Sequence, residues 1–176
     1  MRFVFLAIIF LVVAAAGTYV YLGGAHEPAV ALETTAAPLY LAGQPYRGLV
    51  AAGGFGILFR QAKAVQDGRQ LPGTPALANL YFNDPETAHD SVRAFIGLAV
   101  ADTLARLPAG FRYRTVVAGQ RVVAARVAGV SYLLAPNKLY PAAFEAVKRL
   151  KLKRRPFYLE QFGPAEGAAQ VWVGVE

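Results

Sequence analysis

The chain has 176 residues, 56% hydrophobic and only 16% charged, with a net charge of +7. That length suits one domain with appendages. There is no cysteine, which excludes disulfides, thiolate metal sites and a cysteine nucleophile.

Residues 3–25, FVFLAIIFLVVAAAGTYVYLGGA, carry no Asp, Glu, Lys, Arg or His. About 20 apolar residues cross a bilayer as a helix, so this segment is membrane-directed. Arg2, the apolar run and Ala14–Ala16 also fit a cleaved signal peptide. However, the run continues past the alanines to Leu22, and Tyr19 and Tyr21 suit an interfacial belt. We therefore read 1–24 as an anchor that contacts lipid through residues 3–22. Arg2 precedes it, and no Lys or Arg follows before Arg47, so the positive-inside rule favours an extracytoplasmic domain.

Residues 25–36 read as a linker, after Gly23-Gly24 and before or across Pro28, which break the helix. The domain then occupies 37–176. PLYLAGQPYRGLVAAGG contains one or two short strands interrupted by Pro45 and Gly48. GILFRQAKAVQ has helical periodicity with Ile57, Leu58, Ala62 and Val65 on its apolar stripe. After the loop DGRQLPGTP comes a strand, ALANLYF, ended by the turn Asn83-Asp84-Pro85. VRAFIGLAV returns as a strand, and TLARL reads as a short helix stopped by Pro108 and Gly110. FRYRTVVAGQRVVAARVAG is strand-rich with a Gly-Gln turn. A second helix follows at YPAAFEAVKRLKL, with Pro141 in its first turn and Phe144, Val147 and Leu150 or Lys151 on one face. FYLEQF and AAQVWVGV close the chain as a hairpin around GPAEG.

Each half thus reads strand, helix, strand, strand. The predicted fold class is α+β: two such units forming an antiparallel sheet with the helices on one side, behind a transmembrane helix. Aligning LYFNDPE with EQFGPAE matches Phe82 to Phe162.

Glu160 sits in an apolar, aromatic run, and a carboxylate is costly to bury unpaired. If the final turn centres on Ala165, Glu160 opposes Gln170 and Tyr158 opposes Trp172. Strand alternation then puts Tyr158, Glu160, Phe162, Gln170 and Trp172 on one face and Phe157, Leu159, Val171 and Val173 on the helix-packed face. An acid among aromatics suits a cationic or flat guest. It also suits an acid–base role, or an ion pair with one of the 18 basic residues.

Other features carry less. GGFG at 53–56 lacks the lysine and spacing of a phosphate loop. His26 and His89 have no neighbouring ligand set, so no metal and no cofactor are expected. Tyr113, Tyr132 and Tyr140 read as core edges. KRLKLKRR at 148–155 reads as a solvated helix end or a contact for anionic headgroups. No base-reading motif suggests nucleic acid.

The order of elements, LYFNDPE, YPAAFEAVKRLKL, and FYLEQF before AAQVWVGV resemble the GyrI-like (gyrase-inhibitor-like) small-molecule-binding domain over residues 36–175. The anchor makes the arrangement similar to its membrane-anchored branch, which includes a testis-expressed ER-phagy receptor. The resemblance implies a groove between the halves, with an acid on the penultimate strand facing it among aromatics. Glu160 and Phe162 match that pattern. Some members bind drugs or effectors, and some hydrolyse small molecules with that acid and nearby tyrosines. The receptor's role depends on a tail, and this sequence stops after its last strand, so that role is not expected. The receptor's domain is cytosolic, opposite to the side favoured by charge. The expected function is small-molecule binding by Glu160, Tyr158, Phe162, Trp172 and Phe82. The alternatives are a hydrolase using Glu160 and an interaction module of a membrane complex, its protein partner unknown.

Overall fold

The computed structural model describes residues 2–49, 53–73, 75–85, 87, 91–163 and 167–176. In chain order the elements are α1 (Arg2–Tyr21), β1 (Ala29–Thr34), β2 (Leu39–Gly48), α2 (Gly53–Asp67), β3 (Ala76–Tyr81), β4 (Val92–Val100), β5 (Arg112–Val116), β6 (Arg121–Val127), α3 (Ala135–Arg149), β7 (Arg154–Phe162) and β8 (Ala169–Val175). The strands form one antiparallel sheet in the order β1-β6-β8-β7-β3-β4-β2-β5. The two predicted units are β2-α2-β3-β4 and β6-α3-β7-β8. They meet where β3 pairs with β7, with Asn79 directly opposite Glu160.

Both α2 and α3 cover the same face. Ala62 and Val65 of α2 share a core with Leu139, Ala143 and Val147 of α3, and with Ile96, Tyr81, Tyr158, Phe162, Val171 and Val173 of the sheet. The stripe on α2 is Phe55, Leu58, Ala62 and Val65; the predicted member Ile57 is 48% exposed, off that arc. The opposite face has a smaller cluster of Leu41, Ala78, Leu80, Phe95, Val116 and Leu159, edged by Phe82, Phe157 and Trp172. No described helix packs there. Instead the Arg114 guanidinium lies 4.2 Å from the Phe82 ring centroid, covering apolar surface with its stem.

Several local expectations change. Residues 29–34, expected as linker, are the edge strand β1. Pairing with β6 satisfies their backbone, and Glu33 takes a two-pronged ion pair from Arg126 at 2.6 Å on each oxygen. β2 is one continuous strand despite Pro45. Its pairing with β5 ends at Gly43, so the proline lies where one side of β2 is unpaired and no donor is missed. TLARL forms no helix; its segment is bends and turns, with Tyr113 Oη donating to Ala105 O at 2.6 Å. α3 begins earlier than expected, with Pro136 in its first turn and Pro141 inside it. Pro141 is on the exposed side, so water can reach the carbonyl left without a partner.

From Phe3 to Tyr21, α1 is exposed, and it is long and apolar enough to cross a membrane. Its end is tied to the domain. Ser131 N donates to Leu22 O at 3.0 Å and Lys138 Nζ to Gly24 O at 2.5 Å. Gly23 has φ +83, and a Cβ there would lie 2.8 Å from the Gly129 carbonyl carbon. Only glycine fits that crossing.

Candidate functional site

The β7–β8 register decides which side chains meet. Glu160 opposes Val171, Leu159 opposes Trp172 and Tyr158 opposes Val173. This is one residue off the predicted pairing. The connection closes with Gly163 N donating to Ala168 O, which moves the turn centre half a residue beyond Ala165, itself outside the described residues. A one-residue slip exchanges faces between partners. Tyr158, Glu160 and Phe162 therefore face the helices with Val171 and Val173, in place of the predicted Phe157 and Leu159, which lie on the other face with Gln170 and Trp172. There, Gln170 bonds Gln161, and Trp172 Nε1 donates to Gln170 Oε1 at 3.2 Å. Phe82 is on that far face too. Of the five predicted ligand residues, the fold unites Glu160, Tyr158 and Phe162 and separates Trp172 and Phe82 from them. Tyr81, not Phe82, shares the face of Phe162.

Glu160 is 6% exposed and lies at the seam between the halves. Its Oε2 accepts Asn79 Nδ2 at 3.0 Å and Tyr81 Oη at 2.9 Å. Both donors come from β3, at alternate positions on one face. Tyr140, from α3, is close enough to help hold the carboxylate's charge, yet its hydroxyl makes no hydrogen bond of ordinary geometry among the described residues. Asn79 Oδ1 is likewise buried without a partner. No Lys or Arg among the described residues pairs with Glu160, so the alternative of an ion pair is not realised among them. Burial raises the Glu160 pKa, and the bonds from Asn79 and Tyr81, with Tyr140, oppose that rise. Burial, then the charge of Glu160, pushes the Tyr81 and Tyr140 hydroxyls well above 10, so both stay protonated donors.

Aromatic rings enclose this acid. Phe55 of α2 stacks on Tyr81 with centroids 6.3 Å apart, and Tyr46 meets Phe55 edge-on at 5.6 Å. From the other half, Tyr140 and Phe144 of α3 pack on Tyr158 at 6.5 and 6.4 Å. The sequence reading missed Asn79, Tyr81 and Tyr140. A signal existed: sliding the duplicated halves by one residue sets Asn79 against Glu160 and Tyr81 against Phe162.

A cleft of about 900 Å³ opens beside this cluster, at the end of the strands where α1 joins. Phe162 lines it, while Glu160, two residues further along the same face, does not. The end of α2, the segment before α3 and the last residues of α1 form its walls.

The basic run lies at the opposite end of the strands, where α3 leads into β7. Arg154 pairs with Asp84 at 2.8 Å and lies 4.4 Å from the Phe144 centroid, and Lys153 pairs with Glu176 at 3.2 Å. Those residues thus act partly as structural ties. Lys148 and Arg149 end the helix as expected. His26 contacts Ala128 O at 2.9 Å, and His89 is outside the described residues.

No family model matches the sequence, and no curated protein matches it. Solved structures do match in fold. An integron cassette protein from Vibrio cholerae aligns at TM-score 0.58 and 11% identity, over 85% of this chain and 96% of its own. The C-terminal domain of EcmrR aligns at 0.56 and 14%, over 86% and 98%. SAV2435, solved bound to tetraphenylphosphonium, aligns at 0.54 and 10%, over 85% and 94%. At such identities the likeness speaks to architecture alone: this chain shares the fold of these proteins, with an apolar helix in front of it.

Proposed function

We propose that the chain is a single-pass membrane-anchored domain that binds a small molecule, with Glu160 as the polar anchor of the site. One observation carries this reading. A fully enclosed carboxylate sits among aromatic rings with no basic partner among the described residues, beside a buried amide oxygen, Asn79 Oδ1, that has no hydrogen-bond partner among them. Buried polar groups are normally matched, and a guest with a positive charge or N–H donors would match both. Tyr81, Tyr158, Phe55 and Phe162 supply the apolar and cation–π surface. Phe162 must swing aside for a guest in the cleft to reach the acid. Trp172 and Phe82 act from the far face as packing residues. The tetraphenylphosphonium held by SAV2435 gives the first probe. The length of α1 and its docked end support the anchor reading over a removable leader.

The test is calorimetric titration of the full chain in detergent micelles. Tetraphenylphosphonium offers charge without donors, and a naphthylalkyl ammonium offers both. The ammonium should bind more tightly, and Glu160→Gln should weaken it about tenfold or more, in line with the loss of a buried charge-assisted contact. Binding should also fade as the pH falls and the acid takes its proton. Equal affinity in wild type and Glu160→Gln would remove Glu160 from the site.

A further inference from the structure

We infer that the cleft is loaded from the bilayer, so that its ligand is a membrane-partitioned amphiphile that enters past Tyr21 and Leu22. This rests on the anchored, Glu160-centred reading above. A 20-residue helix at 1.5 Å per residue is about 30 Å long, which matches the hydrocarbon core. If α1 fills that core, Tyr19 and Tyr21 reach the interfacial belt. Tyr21 and Leu22 also line the cleft. Their position relative to the domain is fixed within one turn, because Leu22 O and Gly24 O are bonded to Ser131 and Lys138 and Gly23 is wedged against Gly129. The cleft mouth is thereby held at headgroup depth.

The lining suits an amphiphile. Val130, Tyr132 and Phe162 offer apolar surface inside the mouth, while Lys63 and Asp67, paired at 3.0 Å, and Arg69 make a polar rim. Partitioning would concentrate such a guest at the mouth, more so with each methylene it buries in the bilayer. A fully water-borne metabolite gains nothing from a mouth facing lipid. On this reading the last residues of the anchor select ligands by where they dissolve, before Glu160 selects them by charge.

The test uses the full chain in phosphatidylcholine nanodiscs and stopped-flow measurement of tetraphenylphosphonium binding. Leu22→Trp narrows the mouth and should lower the association and dissociation rates together by about tenfold, leaving the dissociation constant nearly unchanged, as for a gate rather than a contact. Tyr21→Ala, which widens it, should raise both. Adding phosphatidylglycerol, which gathers the cation at the surface, should speed association in the wild type. Binding whose rates ignore both variants and the lipid overturns the membrane route and leaves the Glu160 site standing. Absence of any binding to the wild type overturns the ligand reading beneath it.

Discussion

Glu160→Gln isolates the charge of the buried acid. The glutamine keeps the shape and an oxygen that can accept both Asn79 and Tyr81. In the wild type, burial raises the folded pKa above the ordinary 4.5. Between the unfolded and folded values the folded chain holds a proton that the unfolded chain has released. Stability is therefore greatest at or below pH 4.5 for this group, falls as pH rises through the folded pKa, and is level above it. For one proton the slope is at most about 1.4 kcal/mol per pH unit. The glutamine variant lacks this term, while every other carboxylate is shared by both proteins and cancels in the comparison. Urea unfolding in detergent micelles from pH 4 to 8, followed by the fluorescence of the single tryptophan Trp172, gives both stability curves. The variant should gain on the wild type from pH 4.5 up to the folded pKa and hold that gain above it. A difference that does not change with pH would refute the reasoning, because it would mean that the charged carboxylate is as well accommodated folded as unfolded.

Tyr81→Phe removes the donor 2.9 Å from Glu160 Oε2; it should cost more at pH 8 than near pH 4, about 1.5–3 kcal/mol for a bond to the charged acid. The same unfolding assay checks this, and an equal cost at both pH values would count against it. Leu159→Ala, at a fully buried position on the far face, should cost about 2–5 kcal/mol and leave tetraphenylphosphonium affinity unchanged. Gly23→Val forces a branched side chain into φ +83, a strain of about 1–2 kcal/mol before any clash. It should free the α1 junction, read as faster hydrogen exchange at the Ser131 amide, which donates to Leu22 O. Unchanged protection there would show that the junction does not depend on the glycine.

The sequence by itself determined what depends on local pattern. An uncharged run of membrane length needs no partner to be recognised. The β4 boundaries at Val92 and Val100 and the break at Asn83-Asp84-Pro85 follow from strand alternation and turn chemistry between neighbours. The duplicated order of elements, and hence the sheet with helices on one side, followed from the same signals. Glu160 stood out because a lone acid in an aromatic run is costly wherever it points.

Tertiary structure alone decided where it points. Face assignment depends on a register summed over a turn, and a single residue in the 163–168 connection put Tyr158, Glu160 and Phe162 on the helix-covered face and left Trp172 and Gln170 on the far side of the sheet. The partners of Glu160 are 79 to 81 residues away in sequence and arrive only when β3 and β7 pair at the seam. β1 looked like linker because an edge strand has little pattern of its own; it is a strand because β6 offers its backbone and Arg126 its charge. The absence of a cation beside Glu160 among the described residues was equally out of reach, since 18 basic residues made an ion pair look easy and only packing assigned them elsewhere.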